Sequence, residues 1–262
     1  MDHARNAFAL PPTLLFLALV SLACPSPRVH PRAWEEVERG YRYLADGDLE
    51  RAEVAFAHAL EFNEDTPEAL NGAGIVLRRR GRLDEARRAF EHAVKVAPDF
   101  AEGFVNLGEL RLARGDDRGA EDAFREALRV DPDLVVARLD LGRALLHRGR
   151  ACADPACHAA AWAAARREYL HLLEARPDVP EAHHDLAFID YESGAFARAA
   201  ASYGRAAELL PSYAEAHHGA CIALARLGRC EEAAAACRRC LEASPGSARC
   251  EQSLRAALAC AP

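Results

Sequence analysis

The chain has 262 residues, a formal net charge of −7, 51% apolar residues and only 7% aromatic ones. That apolar share can fill one large core or two ordinary ones, and the abundance of alanine and leucine with few β-branched residues favours helix. Nucleic acid is excluded as a general partner, because neutralising phosphates needs concentrated lysine and arginine, and beyond residue 24 no apolar stretch reaches the roughly 18 residues that span a bilayer.

Residues 1–23 differ from the rest. Thr13 to Ala23, "TLLFLALVSLA", is an apolar run too short to span a bilayer in comfort, and it ends on small residues before Cys24. This resembles a bacterial lipoprotein signal, whose cysteine becomes the first residue and carries the acyl chain (palmitate). Ala23 fits the position before the cysteine, whereas Ser21 and Leu22 depart from the usual pattern. A secretory signal cleaved nearby is the plainer alternative. Residues 24–32, with Pro25 and Pro27, read as an extended tether, since proline resists helix.

From residue 33 onward the sequence is periodic. Gly47, Gly81, Gly115 and Gly149 stand 34 residues apart, Gly194 follows 45 later, and Gly228 another 34. Alanine comes five residues after most of them (Ala52, Ala86, Ala120, Ala199, Ala233), then an aromatic (Phe56, Phe90, Phe124, Tyr203) and a further alanine. The fourth unit fits only if 11 residues within 150–164 are excised, after which Ala165 and Tyr169 fall into place. The spacing therefore predicts an insertion in the turn between two helices of the fourth unit.

Residues 101–134, with Leu107-Gly108, Ala120, Phe124, Ala127 and Pro132, carry a resemblance to the tetratricopeptide repeat (TPR). The resemblance implies an all-α fold: a right-handed α-solenoid of six helical hairpins over 33–247, closed by a capping helix and tail over 248–262. Gly108 and Ala120 are small so that antiparallel helices approach, and Phe124 fills the wedge beside them. Repeat one departs from the pattern, with Glu36 and Arg39 at positions that are normally apolar.

With Cys24 set aside, eight cysteines remain, and an even number in an exported chain points to disulfides. Residues equidistant from a hairpin turn lie at the same height on its two helices. That rule pairs Cys221 with Cys237, Cys240 with Cys250 and Cys230 with Cys260, while Cys152 and Cys157 close the insertion on itself. The alternative is reduced packing cysteines, since Cys221, Cys237 and Cys240 fall on buried repeat positions. Cys237 to Cys240, "CRRC", lacks the βαβ surroundings of a redox motif.

In this repeat family the first helix of each hairpin faces an inner groove. Transferred position by position, the groove-lining residues include Ile75 and Arg78 in repeat two, Val105 and Leu112 in repeat three, and Leu139, Arg143 and Leu146 in repeat four. His184, Phe188 and Tyr191 follow in repeat five, and Ile222 in repeat six. Val105, Leu112, Leu139, Leu146, Phe188 and Tyr191 are apolar where solvent is expected. They predict a strip, flanked by Arg78, Arg79 and Arg143, that suits an amphipathic helix or extended segment with some acidic residues. Packing of these side chains on neighbouring helices is the competing reading.

His183-His184 and His217-His218 recur at equivalent places in adjacent repeats. Duplication of a repeat accounts for them better than a metal site, because no further ligand is placed to complete a set. No nucleophile–base arrangement or phosphate-binding loop appears, so the sequence predicts neither an enzyme nor a cofactor. A lipid-anchored chain of six repeats is similar to the pilotin lipoproteins of type IV pilus machines, its cysteine-rich last repeats being most like those of the social-gliding-motility lipoproteins. The resemblance implies an outer-membrane, periplasm-facing monomer that binds a secretin subunit, and Pro25 after the acylated cysteine is compatible with that address. A general periplasmic scaffold for envelope or cell-division complexes is the alternative.

Overall fold

The structure, a computed structural model, describes residues 31–259. Cys24, the signal, most of the tether and Cys260 lie outside the described residues. Thirteen helices run through them in chain order: α1 (Pro31–Ala45), α2 (Leu49–Phe62), α3 (Pro67–Arg79), α4 (Leu83–Val96), α5 (Ala101–Ala113), α6 (Asp117–Val130), α7 (Val135–Ala151), α8 (Pro155–Ala175), α9 (Pro180–Glu192), α10 (Phe196–Leu209), α11 (Ala214–Arg226), α12 (Cys230–Ala243) and α13 (Ala248–Ala259). Successive pairs form six hairpins, and α13 packs against both α11 and α12. The fold is all-α.

First helices of neighbouring hairpins touch one another, from α1–α3 through α9–α11, whereas no two second helices do among the described residues. The odd-numbered helices therefore line the inner side of the array and the even-numbered ones splay outward. Within each hairpin a small residue meets an aromatic. A methyl group at Gly108 would stand 2.6 Å from Phe124 Cε1, and Phe124 and Ala120 are both fully buried. Glycine is thus required here for close approach of α5 and α6. Gly115, at φ +78°, supplies the left-handed residue that turns one helix into the next.

The fourth hairpin departs from the expected picture. The added residues do not form a loop: they lengthen both helices, α7 to 17 residues and α8 to 21. Only residues 152–154 separate them. Asp154 caps α8 by accepting the Ala156 and Cys157 amides at 3.2 Å, and Pro155 occupies the first turn, where its missing N–H costs nothing. Gly149, in register with the turn glycines, stays inside α7 and is buried. A side chain there would collide with the Trp162 ring, so its smallness serves an approach and not a turn.

The core changes character along the array. Repeats three to five share one cluster containing Phe124, Leu141, Leu145, Tyr169 and Leu186. The last repeats are packed chiefly by alanine, including Ala199, Ala220, Ala233 and Ala236, with Cys221 and Cys237. Small side chains bury little area each, so this end has the least hydrophobic stabilisation to offer. Three disulfides join described residues: Cys152–Cys157, Cys221–Cys237 and Cys240–Cys250, with Cα–Cα distances of 5.8, 5.3 and 6.0 Å. Cys230 is also disulfide-bonded; its expected partner, Cys260, lies outside the described residues. Cys221 and Cys237 occupy the register of Gly108 and Phe124, so in the sixth hairpin a covalent bridge stands where the third has a glycine–aromatic contact.

Candidate functional site

The inner face is more closed than the sequence predicts. Val105, Leu139 and Leu146 are buried at 8, 9 and 5% exposure and belong to the central core, while Leu112 and Phe188 pack against its edge. The physical reason is the contact between adjacent first helices: an apolar side chain at these positions wedges into the neighbouring helix and leaves the groove. The expected continuous apolar strip is therefore absent from the middle of the array. Apolar surface remains at the two ends. Trp34 is 40% exposed beside Tyr41 at the first, and Ile222 is half-buried at the other, outside every core cluster. Val136 is exposed between them.

Polar groups fill the rest. Asn106 Nδ2 donates to Asn71 Oδ1 at 2.9 Å, Asn71 Nδ2 donates to Tyr41 Oη at 3.1 Å, and Tyr41 donates on to the Glu68 carbonyl at 3.1 Å. This ladder ties the first three repeats across their inner helices. Burial pushes the Tyr41 phenol up to about 12, so it is a fixed donor at any physiological pH. The arginines expected to flank the strip are engaged. Arg78 pairs with Glu109, and Arg79 donates to the Leu44 carbonyl at 3.0 Å. Arg143 bridges Asp140 and Asp185, each at 3.1 Å. Burial works against the Arg143 charge, but Asp185 and Asp140 raise its pKa on balance. Burial also raises the Asp140 carboxyl.

His184 donates to Asp185 at 2.9 Å and lies edge-on to Tyr203 and tilted against Tyr213, with ring centroids 5.4 and 5.1 Å away. Tyr191 lies edge-on to Phe196, over which Arg226 sits at 4.3 Å. Ile75 packs between the first two core clusters. The other histidines of the two pairs have a shared structural task. His183 Nε2 donates to the Pro177 carbonyl and His217 Nε2 to the Pro211 carbonyl, both at 3.0 Å and both six residues back. Arg138, in the same register, reaches the Pro132 carbonyl. Each satisfies a carbonyl left free where the preceding helix ends. The sequence signal for this lies in the equal spacing from histidine to proline.

Charge is sorted along the face. Glu68, Glu102, Glu181 and Glu215 stand in the first turns of α3, α5, α9 and α11, and Arg78, Arg79, Arg111 and Arg226 in the last turns of α3, α5 and α11. Both sets complement the helix dipoles. The inner face is thus a polar trough with an acidic edge, an arginine-bearing edge and apolar ends. That arrangement presents hydrogen-bonding groups and a few apolar anchors along one face.

The tetratricopeptide repeat profile matches residues 65–133 and again 184–248, together half of the chain. The chain belongs to the tetratricopeptide repeat family. TPR arrays are protein-binding scaffolds and are typically non-catalytic. Among solved structures this TPR chain is similar to PilF of Pseudomonas aeruginosa, at 17% identity over 84% of this chain and 96% of that one, with a TM-score of 0.71. It is similar to PilW, a widely conserved type IV pilus biogenesis factor, at 19% identity over 86% and 100%, with a TM-score of 0.72. It is also similar to YrrB, a TPR protein with an unusual peptide-binding site, at 18% identity over 77% and 98%, with a TM-score of 0.57. Identities at this level establish a shared fold. No curated protein matches the sequence. Among the described residues no helix is long and apolar enough to cross a membrane.

Proposed function

We propose that this TPR protein is a lipid-anchored adaptor of the outer membrane, facing the periplasm, which holds a secretin subunit during assembly of a type IV pilus machine. The observation that carries the reading is the whole-length correspondence with two pilus-biogenesis proteins: their chains are covered at 96 and 100%, so this array has room for the same set of hairpins. The signal-like residues 1–23 ending at Cys24 supply the anchor, and the paired cysteines suit an oxidising compartment. An acyl chain on Cys24 keeps the array near the bilayer, and the inner face captures one segment of the subunit. Tethering raises the local concentration for ring formation without any new contact.

Deleting the gene tests this directly. The expected result is loss of SDS-resistant secretin multimers, restored by the native chain and not by a Cys24→Ala variant. Unchanged multimers in the deletion strain would remove the secretin assignment and leave a general envelope scaffold as the reading to pursue.

A further inference from the structure

The lengthened fourth hairpin builds a cleft that the regular repeats lack. Its projecting tip, fastened by Cys152–Cys157, stands over the C-terminal end of α9 and encloses about 820 Å³. The cleft is lined by Arg150, His158, Trp162, Arg166, Phe188 and Arg198. Aromatic rings run through it in sequence: His158 lies 4.4 Å from Trp162, and Trp162 lies 5.6 Å from Phe188. Arg150, His158 and Trp162 come from 150–164, the stretch that holds the 11 added residues. The Trp162 indole Nε1 is buried against Gly149 with no acceptor among the described residues, an unfavourable place for a donor. That ring is held in place at the expense of its own hydrogen bonding.

Charge gives the cleft a preference. Arg166 and Arg198 share one carboxylate, Asp190, which is buried behind the lining, and Glu192 is the acid that lines the cleft among the described residues. Arg150 has no carboxylate partner among the described residues and sits 4.7 Å over the Phe188 ring. Three guanidinium groups therefore line the cleft with one carboxylate, over the buried Asp190, in a chain whose net charge is −7. Guanidinium groups over aromatic floors are where binding energy concentrates in protein interfaces, and a planar fork with unused N–H groups matches a carboxylate in two hydrogen bonds.

We propose that this cleft docks a segment of a partner protein in which an acidic side chain neighbours an aromatic or large aliphatic anchor. The anchor lies against Trp162 and Phe188, and the carboxylate meets Arg150. The Cys152–Cys157 bridge holds the tip so that His158 and Trp162 keep their places. The site is separate from the inner trough and does not depend on which machine the protein serves, so it stands or falls apart from the secretin assignment.

Fluorescence anisotropy of a labelled synthetic peptide, one phenylalanine flanked by aspartates, tests the proposal on the full chain. The expected result is saturable binding that weakens with salt, falls about tenfold or more in Arg150→Glu, and falls similarly in Trp162→Leu. A peptide with lysines in place of the aspartates should fail to bind the native chain and gain affinity for Arg150→Glu. Arg150 is exposed, so its variant keeps the fold, which circular dichroism checks. Equal binding of the two peptides, no saturable binding, or an unchanged affinity in Arg150→Glu would overturn it. Concentration-dependent self-association abolished by Arg150→Glu would also overturn it, by giving the cleft to a second copy of the chain.

Discussion

Replacing Cys221 and Cys237 by alanine probes the weak end of the array. The bridge spans 16 residues, and closing a loop of that length removes unfolded-state entropy worth about 3 kcal/mol. Both sulfur atoms are buried in a core made mainly of alanine, so little else compensates. A linear array unravels from its ends, and the loss should fall on α11 to α13 and spare the first repeats. At about 1.4 kcal/mol per factor of ten, amides of those helices should exchange roughly a hundredfold faster. Hydrogen exchange resolved by peptide mass reads this. The register supplies a rescue: Cys221→Gly with Cys237→Phe installs the pair found at Gly108 and Phe124, and burying that ring should recover about 1.5–3 kcal/mol. Unchanged exchange in the alanine variant, or loosening spread evenly over all six hairpins, would refute the reasoning.

Two glycines in one register should respond in opposite order. At Gly115, where φ is +78°, alanine should cost about 1–2 kcal/mol and asparagine less; at Gly149 the larger asparagine should cost more than alanine, because the obstacle is the Trp162 ring. Thermal denaturation of the four variants measures both. His218 shares a hydrogen bond with Ser253 at 3.0 Å, and burial, followed by the nearby Arg249 charge, lowers its pKa, against a smaller opposing pull from Glu215. Its neutral form is favoured in the fold. Its contribution is therefore complete above the ordinary histidine value near 6.5 and is lost as pH falls below it, since the unfolded chain then binds the extra proton. The contact between α11 and α13 should loosen on acidification, seen as faster exchange in 248–259, and His218→Gln should flatten that pH dependence.

The hairpins are legible in the sequence through its period, because stacking one motif demands the same small and bulky types every 34 residues. The equal distances of cysteines from the turns are legible for the same reason. Burial of Val105, Leu139 and Leu146 is not. Whether such a side chain faces the groove or the next helix depends on how closely successive inner helices approach, and a single repeat's sequence does not carry that. The fourth hairpin shows a second limit. Gly149 keeps the register of a turn glycine, yet the helix runs through it, since added residues rich in alanine continue α7 and α8 at less cost than an open loop. Trp162 carries no sequence signal as a functional residue because it lies in the stretch that breaks the period.

The central claim is that the inner trough holds a protein segment. Photo-crosslinking from a benzoylphenylalanine placed at Ile222 or Val136, on that face, compared with one at Val54, which is 54% exposed on α2 of the outer side, tests it most directly. The account predicts covalent adducts with the secretin subunit from the two inner positions and none from Val54. Adducts of equal yield from Val54, or none from either inner position while the array remains folded, would contradict it.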